Sequence, residues 1–499
     1  MLRYLAAVIF AVLALLPAQA AAPQKTERGT YFGIYLKDTK LGHMFQDLDT
    51  TAQYQGKPAT RLIARSVMTI AMMGSESSIR TNAVVYMDPK TGATLSEESQ
   101  TESSGRVTSV KAIYTERAVS FTARVQGTSK SGTLTLKPGE VFVRDPSDTP
   151  GQRPKPGTRV KGKAFSSDTQ TLIDMELTVG EKELTVVGGK SVVAYKIQTR
   201  GTVPSLAYVD ERGELLLARV ALGIEIRRMP RELALAVGGK ALDLAEAIGV
   251  RPTGISLERS ARTSQSAVYE LGRVTRPLPP NDSVQRSEEL KAPAAEKNVS
   301  SEKTLLVTVT TQLLPTEPTV PVFVRPDVAP ERLRPFLKAS EYVPCDDPSF
   351  VALARQVIGS ATDASKVAAL LAAHTHKTIR PDPSIAAVRT ARDIRKDPRG
   401  VCRDYTTYFA TLARAVGLPT KQCTGLAYAN GMFLYHAWPE VWVGTDNKGD
   451  DRWVALEPTW GAPYADATHL KLTEGEINDV LNIAADMENY TIKVVEVKQ

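Results

Sequence analysis

Gly400-Val401-Cys402-Arg403-Asp404-Tyr405 is the stretch on which the reading of this chain turns. Tyr408, Phe409, Leu412, Ala413 and Val416 follow it at helical spacing, and Gly417 and Pro419 close the run. The pattern predicts an amphipathic helix with Cys402 in its first turn and a glycine where a helix C-cap wants one. Backbone N–H groups at the start of a helix lack partners within it, and the helix dipole is positive there. Both favour a thiolate, and both suit the oxyanion of a tetrahedral intermediate.

A nucleophilic thiol needs a base that takes its proton and later returns it to the leaving group. The chain has five histidines, and His436 is the best placed. It opens the strand-like run His436-Ala437-Trp438-Pro439-Glu440-Val441-Trp442-Val443. A turn signal, Asn447-Lys448-Gly449, separates this run from Arg452-Trp453-Val454-Ala455-Leu456-Glu457-Pro458-Thr459, a second strand that ends in a carboxylate. Antiparallel pairing of the two returns Glu457 toward His436, where it can fix the tautomer and stabilise the imidazolium.

Four pieces together carry a family resemblance: Gly-Val-Cys-Arg-Asp-Tyr at 400–405, Leu-Ala-Arg-Ala-Val-Gly-Leu-Pro at 412–419, His-Ala-Trp-Pro-Glu-Val at 436–441, and Trp-Val-Ala-Leu-Glu-Pro-Thr at 453–459. The segment 341–472 resembles a transglutaminase-like domain, a branch of the papain-like cysteine enzymes. The resemblance implies an α+β fold, Cys402 as nucleophile, His436 as base and Glu457 as the orienting acid. The family usually has an aspartate before Pro-Thr, so the glutamate here lengthens that side chain by one methylene.

The remaining sequence sets the domain plan. At 499 residues the chain exceeds what one core usually organises. Arg3, an apolar stretch over 4–16 and Ala18-Gln19-Ala20 predict a secretory signal peptide over 1–20, and hence an extracytoplasmic protein. The apolar stretch is short for a membrane span, and no integral span is expected once it is cleaved. From 28 to 250 short runs rich in Val, Ile, Thr and Tyr alternate with turn residues, which predicts an antiparallel β-rich domain. Its clearest hairpin joins 184–187 to 191–197 through Gly188-Gly189, and a short apolar helix over 242–248 closes the region. A small β unit is expected at 255–330, with 276–302 as a Pro-containing linker or an excursion within it. Beyond 335 the periodicity turns helical, which marks the transglutaminase-like domain at 335–485. The fold class is therefore multidomain, all-β followed by α+β.

Removal of Arg3 leaves 61 basic and 55 acidic residues, and no block of basic and aromatic residues marks a nucleic-acid partner. An odd number of cysteines, three, means that at least one thiol is unpaired in an oxidising compartment. Cys423 reads as core packing, with a bridge to Cys345 as the other option. Tyr405, Trp438 and His469 are possible cleft residues. Trp438 shares a strand face with His436, where cleft wall and core packing both fit, and His469 beside Asp466 fits a site lining or a capping role. His374 and His376 point in different directions on one helix, no cluster has zinc-ligand spacing, and no cofactor is called for. Two functions stay open: an enzyme transferring acyl groups from protein or peptide amides, or a non-catalytic envelope module that binds protein or glycan. Oligomeric state is unreadable.

Overall fold

The computed structural model describes residues 29–499 apart from 144–154, 237–241, 243–246, 291–301, 476–489 and one to three residues at a time elsewhere. The expected signal peptide and most of the expected 242–248 helix lie outside the described residues. The chain divides into two compact units, 1–247 and 248–499. Among the described residues no helix is long and apolar enough to cross a membrane.

Among the described residues the first unit is built on one antiparallel sheet of fourteen strands. Its middle is the hairpin Gly29–Leu36 and Thr39–Asp49. From there the chain meanders outward through six strands, from Thr60–Met72 to Thr128–Thr135. It then reaches the opposite edge at Arg159–Ser166 and meanders back to Ile224–Arg228, which pairs with Gly29–Leu36. Strand residues face the two sides alternately, and the sequence obeys this closely. Thr60, Leu62, Ala64, Ser66, Met68 and Ile70 are all buried. Opposite them stand Met87, Val85, Ala83, Thr81 and Ile79, also buried, while the residues between face outward. The expected hairpin is present, with Val187 opposite Lys190 across Gly188 and Gly189.

An open sheet this wide curls, and here the two edges come together. Residues 141–143 run alongside Lys163, with N–H groups of Val143 and Lys163 donating to carbonyls at 2.9 and 2.8 Å. Phe121 lies 5.4 Å from Phe165, and Val110 and Val119 share a core with Phe165 and Leu172.

In the second unit a four-stranded antiparallel sheet runs in the order Asp451–Ala455, Met432–Thr445, Thr420–Ala429, His469–Glu474. Helices pack on it. Pro348–Ile358 and Ala364–Thr378 begin at Asp347 and Asp363, whose side chains accept N–H bonds from Ser349 and Lys366 at 3.0 and 2.9 Å. The cysteine helix, Cys402–Ala415, departs from the amphipathic expectation, because every residue from Arg403 to Ala413 is buried. Its polar residues tolerate burial by bonding back to the chain. The hydroxyls of Thr406 and Thr411 donate to the carbonyls of Cys402 and Thr407 at 2.9 and 2.8 Å, and Arg403 donates to the Ile385 carbonyl at 2.7 Å.

The region 255–330 supplies Ser266–Val274, Gln285–Glu289 and Lys303–Thr310 to a five-stranded sheet completed by Thr253–Gly254 and the distant Thr491–Lys498. Gln285–Glu289 falls inside the segment expected as linker or excursion, and pairs there with Lys303–Thr310. The two sheets share one core, in which Tyr269 and Val307 meet Leu426, Phe433 and Leu470.

Because Phe121 closes the curled sheet, Phe121→Ala should lower the opening free energy of amides in 106–135 and 159–187 by about 3–5 kcal/mol. Native-state hydrogen exchange checks this; unchanged protection there would mean that the two edges do not stabilise each other.

Candidate active site

Three segments converge at one end of the four-stranded sheet. Cys402 is the first residue of its helix and is half-buried. His436 stands in Met432–Thr445, buried, and Glu457 lies two residues beyond Asp451–Ala455, with no exposure at all. Pairing of Glu440 with Ala455 continues through the Leu456 N–H, which donates to the Pro439 carbonyl at 2.9 Å. The Glu457 backbone thus falls opposite Trp438, and its side chain reaches back to His436. The Nε2–Oε2 distance is 2.7 Å. The other carboxylate oxygen accepts the N–H groups of Thr459 and Trp460 at 3.0 and 3.1 Å. With Nε2 on Glu457, the His436 imidazole has Nδ1 left for another partner, and the Cys402 thiol is close enough to act on its charge.

Electrostatics follow from this packing. Burial opposes a charged imidazole at His436, but the Glu457 charge and the bonds to Cys402 and Glu457 outweigh it and push the group up to about 10. Burial likewise opposes a charged Glu457, and the two histidines on it, His436 and His469, hold it well below the usual carboxylate range.

The glycine and aspartate of the cysteine motif work as a pair. Asp404 Oδ2 accepts the Val401 N–H at 2.9 Å, satisfying a donor just before the helix, while Oδ1 accepts Arg389 Nε at 3.0 Å. A Cβ on Gly400 would stand 2.5 Å from Asp404 Cβ. Arg389 also donates to the carbonyls of Asp397 and Arg399, tying down the approach to Cys402. Asp404 has no role assigned from sequence; its signal there is an acidic residue at the third helical position.

Trp460 was missed, although it follows the quoted Glu-Pro-Thr directly. Its ring stacks on His436 with centroids 4.5 Å apart and planes 16° apart, and it is 39% exposed, so it forms the outer cover of the imidazole. Arg262 lies over its other side at 4.2 Å. His376, expected to be structural, sets the turn after Glu457: its Nδ1 is 3.0 Å from the Pro458 carbonyl oxygen.

The three possible cleft residues have different fates. Tyr405 does not line a cleft: it is turned into the helical core, where its hydroxyl donates to the Ile379 carbonyl at 2.7 Å. Trp438 is wholly buried among Trp442, Trp453 and Cys423, and backs His436 and His469 from within. His469 is buried against Glu457, with Nε2 3.2 Å from the same Oε2 that His436 holds. Cys345 and Cys423 are both unpaired and buried, in separate core clusters. Burial pushes the Cys345 thiol up to about 11 and Cys423 well above its ordinary value, which leaves the half-buried Cys402 as the accessible sulfur.

Among the described residues, two groups of side chains are close enough to consider as cation sites. In His436, Glu457 and His469 the 2.7 Å contact is a direct hydrogen bond; two ligands of a tetrahedral zinc ion stand ~3.3 Å apart. In Cys423, Glu440 and Glu474 the position between the carboxylates is filled by the Lys471 ammonium, 2.8 Å from Glu440 and 2.6 Å from Glu474. Neither fits a metal.

Helices packed on a four-stranded antiparallel sheet make this an α+β domain. Residues 351–458 match the model of the transglutaminase-like superfamily, so this segment is a transglutaminase-like domain. Similar solved structures include a "putative cysteine protease" from Cytophaga hutchinsonii, at 17% identity and TM-score 0.29, covering 47% of this chain and 86% of that one. Another is a "putative protease" from Parabacteroides distasonis, at 11% identity and TM-score 0.21, covering 82% of this chain and 70% of that one. None of the curated proteins matches the chain.

The signs of the two shifts set a pH window. The raised group, His436, contributes stability in full below its ordinary value and loses it as pH rises through about 10. The depressed group, Glu457, contributes above its ordinary value of 4.5 and loses its share as pH falls toward its native value. NMR of labelled histidines should therefore find the His436 ring still protonated at pH 8, with a midpoint near 10, and Glu457→Gln should bring that midpoint down by several units. A wild-type midpoint near 6.5 would mean that burial cancels the pull of the Glu457 charge.

Proposed function

We propose that this chain is an exported thiol enzyme that acts on protein or peptide amides. The observation that carries the reading is the meeting of Cys402, His436 and Glu457, from three distant parts of the chain, at the start of one helix. The Cys402 sulfur, having lost its proton to His436, attacks the carbonyl carbon of a carboxamide or peptide bond. A carbon–sulfur bond forms and the carbonyl oxygen becomes an oxyanion, held by the backbone N–H of Cys402 at the helix start. Collapse expels the amine, which takes the proton from His436 and leaves a thioester. Water, deprotonated by His436, then attacks this thioester and releases a carboxylic acid and the free thiol. An amine in place of water would give a new amide, so cross-linking is the neighbouring outcome and hydrolysis the primary one. Glu457 keeps the imidazole oriented through its 2.7 Å bond. Export rests on Arg3, the apolar 4–16 stretch and Ala18-Gln19-Ala20.

Iodoacetamide at pH 7 should label Cys402 faster than it labels glutathione. Cys402→Ala should lower hydrolysis of fluorescent casein, or incorporation of dansylcadaverine, by about 1,000-fold or more. N-terminal sequencing of the exported chain should begin at residue 21. If Cys402 labels no faster than glutathione and Cys402→Ala keeps every activity, the domain is a binding module instead.

A further inference from the structure

His469, Asp466 and Arg262 all lie outside the segment that matches the family model, and the acyl-transfer reading uses none of them. Yet they extend its buried network. The Glu457 Oε2 that accepts His436 Nε2 at 2.7 Å also faces His469 Nε2 at 3.2 Å, and the two imidazole centroids are 5.6 Å apart. On its far side His469 Nδ1 faces two more acceptors, the Asp466 carbonyl oxygen at 3.1 Å and Asp466 Oδ1 at 3.3 Å. Both ring nitrogens therefore point at oxygen lone pairs. A bare nitrogen at either end would set lone pair against lone pair in a site only 2% exposed. The geometry asks for a proton on each, which makes the ring a cation. Asp466 is in turn fixed by Arg262 at 2.7 Å and by the Thr468 N–H at 2.9 Å.

We propose that His469 is a positioning residue that holds a second, permanent positive charge on the Glu457 oxygen shared with His436, and so limits how tightly His436 keeps its proton. The inference rests on the acyl-transfer reading of Cys402, His436 and Glu457. A lone glutamate against a buried imidazole would make that imidazole strongly basic, and a strongly basic group surrenders its proton slowly to a leaving amine. A neighbouring cation divides the carboxylate's attraction and repels the imidazolium, which eases that transfer. The charged and titratable groups facing the two rings are Glu457, Asp466 and the Cys402 thiol, with Arg262 one step out. Trp438 and Trp460 flank the rings and carry no charge. Burial and the bonds to Asp466 and Glu457 act on His469 in opposite directions, and the net shift is upward.

The test is nitrogen-15 NMR of histidine-labelled full-length chain. At pH 8 His469 should show two protonated nitrogens; one bare ring nitrogen would overturn the proposal. His469→Gln, which keeps a donor and removes the charge, should raise the proton affinity of His436 by about threefold or more. An unchanged or lower midpoint would mean that His469 only packs. If His469→Gln does not fold, Asp466→Asn withdraws the partner that keeps His469 charged, and should shift His436 in the same direction. Iodoacetamide labelling of wild-type Cys402 separates the two levels: an ordinary rate defeats the acyl-transfer reading while leaving the protonation of His469 to be judged by its own spectrum.

Discussion

A carboxylate with no contact with water stays ionised only where other groups replace the hydrogen bonds and charge that water supplied. Glu457 is such a group, and the site is built around meeting that need. Two backbone N–H groups of the following turn bind one oxygen, and two imidazoles bind the other. Removing any of them leaves a buried charge short of a partner, which is why the turn after Glu457 is itself held, by His376 on the Pro458 carbonyl and by Trp460 stacked on His436. The orientation of His436, and through it the environment of the Cys402 sulfur, follows from how this one carboxylate is satisfied.

The same strand carries a second buried ionic network, and a buried indole separates the two. His436, Trp438 and Glu440 lie on one face of Met432–Thr445. Glu440 bonds Lys471, which also reaches Asp282 and Glu474, and Lys421 binds the latter two from its paired strand. Burial keeps Glu440 above its ordinary value even so, and the two lysines hold Asp282 below its own. Trp438 stands between Glu440 and His436 with no exposure. The glutamate of the His-Ala-Trp-Pro-Glu-Val motif is thus part of a structural charge cluster, while the histidine four residues earlier faces the thiol. A motif read as one functional unit is divided by a single indole into two electrostatic compartments.

Local signals in the sequence were legible because they encode local physics. Asp347-Pro348 starts a helix, Gly188-Gly189 turns a hairpin, and the even positions from Thr60 to Ile70 face inward. The strand pairing that carries Glu457 to His436 was also readable, since a short turn joins its two strands. What escaped were partners chosen over long separations. Arg262 meets Asp466 across 204 positions, and Thr491–Lys498 pairs with Ser266–Val274 from the far end of the chain. Neither leaves a periodicity or spacing to find. The cysteine helix looked amphipathic because residues such as Thr406, Thr411 and Arg403 are polar, but polarity marks solvent only when a side chain lacks a carbonyl to bond, and these three have one.

The glutamate that departs from the family's usual aspartate is what this register requires. Leu456 bonds Pro439, so residue 457 begins opposite Trp438, a full pair beyond His436 along the strand. A side chain shorter by one carbon–carbon bond, roughly 1.5 Å, would pull the acceptor away from contacts now at 2.7 and 3.2 Å. Bringing an aspartate into reach would mean shifting the ladder between the two strands, and with it Trp442 against Trp453 in the core. The extra methylene therefore lets the strand keep its pairing while one oxygen touches both imidazoles, and the same reach makes room for the second histidine beside the first.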